Sequence, residues 1–106
     1  MRVGQVIGIK PECFEKYKAL HADPWPEVNR MIHECNIRNY SIYHHDGLLF
    51  AYFEYVGDDY AADMAKMADD AKTQEWWGEC MPCQRPVEGA QDGDWWLDIE
   101  ELYHLD

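Results

Sequence analysis

The sequence predicts an α+β domain of β-α-β-β-α-β order, a four-stranded antiparallel sheet with its helices on one face. Three observations point there. The chain opens on a β-branched apolar run that stops at Lys10-Pro11, an Asp46-Gly47 pair separates two strand-like runs, and a stretch with helical spacing follows each half of that pattern. With 106 residues the chain has the length of one domain, residues 1–106, and roughly two thirds of its unfolded surface can be buried on folding.

Residues 2–9, RVGQVIGI, read as the first strand, ended by a turn at Lys10-Pro11. A helix follows from Pro11, with Glu12 and Glu15 at its positive end and Phe14, Tyr17 and His21 on one face. Pro24 and Pro26 then break the helical region into two pieces, and Val28, Met31 and Ile32 resume the period. NIRNYSIYHH (36–45) alternates as a strand, with Ile37, Asn39, Ser41 and Tyr43 on one side and Arg38, Tyr40, Ile42 and His44 on the other. Asp46-Gly47 is a hairpin turn signal, and LLFAYFEYV (48–56) is its antiparallel partner. Gly57-Asp58-Asp59 ends that strand, and one helix is expected from Tyr60 through the Trp76-Trp77 pair until Pro82 stops it. An irregular segment, QRPVEGAQDGDW, leads to a final strand within WLDIEELYHL. A sheet so rich in Leu, Phe, Tyr and Trp needs a cover on its second face, which face-to-face dimerisation into a closed barrel supplies.

Charge narrows the partners. Twenty-one acidic residues against nine basic ones give a formal net charge of -12, which repels phosphate backbones and anionic lipids, so no nucleic acid and no membrane is expected as a partner. The opening segment has too broken an apolar run for a signal peptide, and no window approaches about 20 apolar residues, so the expected location is cytoplasmic. In that reducing compartment Cys13, Cys35, Cys80 and Cys83 are expected as free thiols.

Two features of the stretch QEWWGECMPC compete for a functional role. A reactive dithiol gains its thiolate character at a helix N-terminus, whereas Cys80 and Cys83 follow a helix, near its negative end and among Glu75, Glu79 and Glu88. Zinc needs two further ligands, and the adjacent His44 and His45 point to opposite faces of a strand, so no metal site is expected. Trp76 and Trp77 lie about 100° apart on a helix, so only one can point fully into the core while the other lies at its edge. Indole rings suit the apolar C–H face of a sugar, and on residue type alone both can equally well fill the core. Tyr17 and His21 project from one helix face, and His21 stands where the prolines free a pocket; its ring exchanges protons near neutrality, though a structural or merely exposed histidine is the other reading. There is no G-x-S-x-G, Gly-rich phosphate loop, Rossmann fingerprint or H-E-x-x-H, which leaves acid-base chemistry on a small neutral molecule.

Taken in order, Tyr17-x-x-x-His21, Trp25-Pro26-Glu27, Asn39-Tyr40, Trp76-Trp77 and the closing Glu101-Leu102-Tyr103-His104-Leu105 resemble the L-rhamnose mutarotase family along nearly the whole chain. The resemblance implies a ferredoxin-like protomer in a dimeric α/β barrel, and a cofactor-free isomerase acting on a small neutral monosaccharide as a homodimer. It implies that His21 matches the family's proton donor, and that Tyr17, Tyr40, Trp76 and Trp77 match substrate-contacting positions. Interconverting anomers requires an acid that protonates the ring oxygen and a base that removes the anomeric hydroxyl proton, and His21 is assigned as the general acid. The general base is not identifiable. Pro24 before Trp25 and the Trp95-Trp96 pair depart from the family pattern around the pocket mouth, so L-rhamnose leads among candidate substrates, followed by L-fucose and related 6-deoxy aldoses. Two alternatives share these features: a dimeric barrel monooxygenase acting on haem or an aromatic substrate, and a non-catalytic small-sugar-binding domain.

Overall fold

The computed structural model describes residues 1–90 and 95–106. The first strand is β1 (Arg2–Ile9), and a single 3₁₀ turn at Pro11–Cys13 leads into α1 (Phe14–Ala22). α2 (Pro26–Glu34), β2 (Ile37–His45), β3 (Leu48–Tyr55), α3 (Tyr60–Asp69) and α4 (Ala71–Cys80) follow. After a second 3₁₀ turn come β4 (Gln84–Arg85) and β5 (Leu97–Ile99). The sheet runs β2-β3-β1-β4, with β5 also on β1, and every pairing is antiparallel.

Alternation along the strands determines where the core sits. On β3, Leu49, Ala51, Phe53 and Tyr55 are buried under the helices, as are Ile7 and Ile9 on β1. Fully burying one such side chain contributes about 1.5–3 kcal/mol, so these rows hold the helices on. Two apolar clusters result. One gathers Ile7, Ile9, Tyr17, Val28, Leu49, Trp76, Cys80 and Cys83; the other gathers Ile37, Phe53 and Tyr55, with Tyr60, Met64 and Met67 against them. The opposite face of the sheet is open, and Tyr43, Phe50 and Ile99 are exposed there.

The hairpin forms as expected. Asp46 and Gly47 have φ of 50° and 78°, the left-handed pair that suits the twist of two adjoining strands.

Three expectations fail for identifiable reasons. Strict alternation along β2 breaks at Asn39, whose φ is 53°. Arg38 pairs Glu54 and Ser41 pairs Tyr52, so Asn39 and Tyr40 together face Phe53 in a β-bulge. Ile37 therefore joins Tyr40 and Ile42 on the inner face instead of opposing them.

The long helix is two helices. Asp70 leaves the helical region (φ -75°, ψ 122°), and its carboxylate accepts from the Thr73 N–H and hydroxyl at 2.9 and 2.8 Å, capping α4. A short acidic side chain bonding the backbone three residues on competes with helix continuation, and here it wins.

The closing strand, finally, is in two pieces. β4 pairs Gly8 and Ile9 before Pro86, which has no N–H to continue a ladder, and β5 pairs only Gly4 to Val6. Beyond Ile99 the edge of β1 is nearly exhausted. Arg2 instead holds Glu101 by a paired side-chain contact at 2.9 and 3.2 Å, and residues 100–106 are irregular and exposed. The expected irregularity of residues 91–94 lies outside the described residues.

Candidate active site

Two prolines shape the entrance. Pro24 biases Asp23 toward extended backbone, so α1 stops one turn past Tyr17, and Pro26 takes the first position of α2. Trp25 between them is held extended and packs edge-on against Trp76, with ring centres 5.1 Å apart; the Lys72 ammonium lies over its ring at 5.4 Å. On α4 the buried residues Thr73, Trp76 and Cys80 recur at three and four positions and face the sheet. Trp76 is 8% exposed and Trp77 36%, so one indole is in the core and its neighbour at the rim.

Between helices and sheet lies a cavity of about 500 Å³. One part of the lining is aromatic and polar, with His21, Thr73, Trp76, Trp77, Trp96 and Tyr40, whose ring also meets Phe53 at 5.6 Å. The other is apolar, with Ile32, Ile37, Phe53, Met64 and Met67, and is flanked by Gln5 and Tyr60. Gln5 donates to the Asp98 carboxylate at 2.8 Å.

His21 is fixed on three sides. Its ring stacks on Tyr17 at 4.2 Å and meets the edge of Trp76 at 5.2 Å. Its Nδ1 lies 2.8 Å from the Tyr17 carbonyl oxygen. A carbonyl only accepts, so Nδ1 carries the proton, and neutral His21 presents an unprotonated Nε2. Nε2 makes no hydrogen bond to a described side chain, and the ring lines the cavity. Burial lowers the pKa of His21 below its ordinary value, opposed by the carbonyl bond, so the neutral form prevails at neutral pH. Tyr40, on the inner face of β2, is 41% exposed to the open cavity, yet the protein around its hydroxyl pushes the pKa up to about 12; it stays a neutral donor.

Four of the five sequence-predicted residues, His21, Tyr40, Trp76 and Trp77, are brought together on the cavity wall. Tyr17 is not on that wall. It is 4% exposed, lies behind His21, and its hydroxyl accepts from Gln84 Nε2 at 3.0 Å. Burial raises its pKa well above the ordinary phenol range. Gln84, itself buried, accepts from the Trp95 indole N–H at 2.6 Å. Sequence reasoning did not find Gln5 or Gln84, and left Trp95 and Trp96 without a role; nothing local in the chain marks a buried amide whose partners are 67 and 11 residues away.

None of the cysteines lines the cavity, although Cys80 and Cys83 share the core cluster of Tyr17 and Trp76. All four are free, and burial pushes the Cys80 thiol up to about 12 and raises that of Cys83, the reverse of a reactive dithiol. His44 stacks on Phe14 at 4.2 Å. Among the described residues, no group of three or more His, Cys, Asp or Glu is placed to hold a metal ion, and no helix is long and apolar enough to cross a membrane.

Comparison with known proteins agrees over the whole length. The family model for L-rhamnose mutarotase matches residues 2–105. The L-rhamnose mutarotase of Lactiplantibacillus plantarum is 31% identical over 100% of this chain and 99% of its own, and that of Bacillus subtilis is 28% identical over 99% and 98%. Among solved structures, an L-rhamnose mutarotase from Formosa agariphila superposes with a TM-score of 0.77 at 19% identity, covering 100% of this chain and 99% of the other. Tetracenomycin F2 cyclase from Streptomyces glaucescens, a type-II polyketide cyclase, reaches 0.70 at 16% identity with the same coverage. At those identities the two structures speak for the fold alone, and they share its α+β architecture. Family match and curated relatives together make this chain a member of the L-rhamnose mutarotase family of anomer-interconverting isomerases.

Proposed function

We propose that this protein interconverts the α and β anomers of L-rhamnose or a related 6-deoxy aldose, with His21 exchanging the proton. One observation carries the reading: a neutral imidazole whose Nδ1–H is tied to the Tyr17 carbonyl and whose Nε2 bonds no described side chain, at a cavity lined by indoles. Nε2 takes the proton of the anomeric hydroxyl as the bond from C1 to the ring oxygen breaks, and the imidazolium returns a proton to that ring oxygen. The product is the open-chain aldehyde. Rotation about C1–C2 and the reverse transfers close the ring on the other face, with His21 neutral again.

His21 thus starts as acceptor and acts as acid second, because its lowered pKa leaves little imidazolium at rest. Tyr40 serves as a hydroxyl-binding donor, and Trp76, Trp77 and Trp96 form the apolar wall against the sugar's C–H face and its methyl group. Tyr17 acts behind His21. Positioned proton transfer is worth about 10²–10⁴ in rate, enough for a reaction that already proceeds in water.

We further assign a homodimer through the open sheet face, on which Tyr43, Phe50 and Ile99 are exposed, and a cytoplasmic location, which suits free thiols at Cys35, Cys80 and Cys83. Light scattering on the eluted protein tests the dimer. Saturation-transfer NMR between the anomer signals of L-rhamnose, L-fucose and other aldoses tests the activity. Accelerated exchange of a 6-deoxy aldose is the expected result, and binding shifts with no acceleration would make the protein a sugar-binding domain.

A further inference from the structure

Gln84 sits where three parts of the molecule meet. Its backbone lies in β4, paired with Ile9 on the sheet floor. Its side chain reaches Tyr17 on α1 and Trp95 in the segment before β5. Both ends of the amide are committed, and the chemistry fixes which way it points. An indole N–H can only donate, so Oε1 faces Trp95 at 2.6 Å and Nε2 must face the Tyr17 hydroxyl at 3.0 Å.

The Tyr17 ring is therefore pinned at its far end by Gln84 and at its near end by the helix. The same ring supplies the face on which His21 stacks, 4.2 Å away at an interplanar angle of 26°. The Tyr17 residue also supplies the carbonyl that holds the His21 Nδ1 proton. A phenol released at its hydroxyl can tilt, and the imidazole then loses the surface that keeps it aligned with that carbonyl. Trp95 adds a second link, because it adjoins Trp96, which lines the cavity. Gln84, buried at 5% exposure, does not line the cavity itself, so any influence on the reaction passes through Tyr17, its direct link to His21, or by way of Trp95 and Trp96.

We propose that Gln84, oriented by Trp95, is a positioning residue that sets the tautomer and ring orientation of His21 through Tyr17. The proposal rests on the mutarotase reading for its kinetic consequence, but not for its structural one. Two variants test it. Gln84→Met keeps the volume and removes both hydrogen bonds, whereas Trp95→Phe keeps an aromatic ring and removes only the N–H donor. ¹⁵N shifts of the His21 ring, recorded without sugar, read the tautomer; anomer exchange reads kcat and KM.

Wild type should show a single Nδ1-protonated tautomer, and Gln84→Met a mixture of the two. Its kcat should fall about 10-fold with KM held within about twofold, the signature of a misaligned proton-transfer group and not of lost sugar binding. Trp95→Phe should shift the tautomer in the same direction by less, and it decides the matter if Gln84→Met fails to fold. Folded variants with wild-type tautomer and wild-type kcat would overturn the proposal. If wild type itself fails to accelerate anomer exchange, the functional reading falls, while the tautomer comparison still judges the positioning claim.

Discussion

The two parts of the cavity lining are built to different rules. The His21 ring is constrained by directed contacts: a stack on Tyr17, an edge against Trp76, a hydrogen bond to a carbonyl, and an amide relay behind Tyr17. Around Phe53, whose ring meets Tyr40 at 5.6 Å, the aliphatic and thioether side chains of Ile37, Met64 and Met67 are held by packing. Directed contacts fix orientation, which proton transfer needs; undirected burial fixes only position, which stability needs. The difference teaches that chemistry and cohesion are divided between neighbouring clusters of one small core.

Truncating each part separately tests that division. His21→Ala should reduce catalysed anomer exchange by about 10²–10⁴-fold, measured by saturation transfer, whereas Met67→Ala should change it by no more than about threefold. A comparable loss at Met67 would end the division. Stability should show the reverse preference. Phe53→Ala, at a side chain 6% exposed, should cost about 3–5 kcal/mol in urea unfolding. His21→Ala should cost far less, because the ring is only half-buried.

Acidity offers a finer probe. Burial lowers the His21 pKa below its ordinary value of about 6.5. Exchange should rise with pH through that lowered midpoint and level off above it. Stability follows the same sign: between the folded and unfolded pKa values the unfolded chain binds more protons, so the contribution is present above the unfolded value and lost as pH falls through the folded one. His21→Gln should remove both slopes in exchange and unfolding measurements made at stepped pH. Smaller again is Asp70→Ala, which deletes the cap of the helix carrying Trp76 and should cost about 1 kcal/mol in the same unfolding assay. Least of all in activity, a Cys80→Ser, Cys83→Ser double variant should exchange anomers at the wild-type rate; loss of exchange in a folded protein would bring those thiols into the mechanism.

What could be read in the sequence follows the range of the interactions. The first strand, the proline-broken helix pair and the Asp46-Gly47 hairpin are dictated by neighbours in the chain, and the structure has them where the pattern puts them. The split at Asp70 was legible too, as an aspartate three residues before a threonine, but good helix formers on both sides masked it. The divided closing strand was not, because its length depends on how much of the β1 edge is left to pair. Residue type and spacing left His21 and the Trp76-Trp77 pair open between site and core, and the family resemblance singled them out together with Tyr40; the fold brings these four to one cavity wall. Gln84 did not stand out, since a glutamine in a short edge strand has no meaning until the fold brings Tyr17 and Trp95 to it.

Asn39 has a consequence for engineering. In the bulge, two residues stand opposite one, and the left-handed backbone at Asn39 marks it as the extra residue; its side chain ties to Glu54 at 2.9 Å. Removing Asn39 would leave Ile37, Tyr40 and Ile42 spaced two apart, on the face they already occupy. Such a deletion changes the phase of nothing and alters only the local bend. It therefore separates two properties that ordinary substitutions confound: which side chain faces the cavity, and the angle at which the strand presents it.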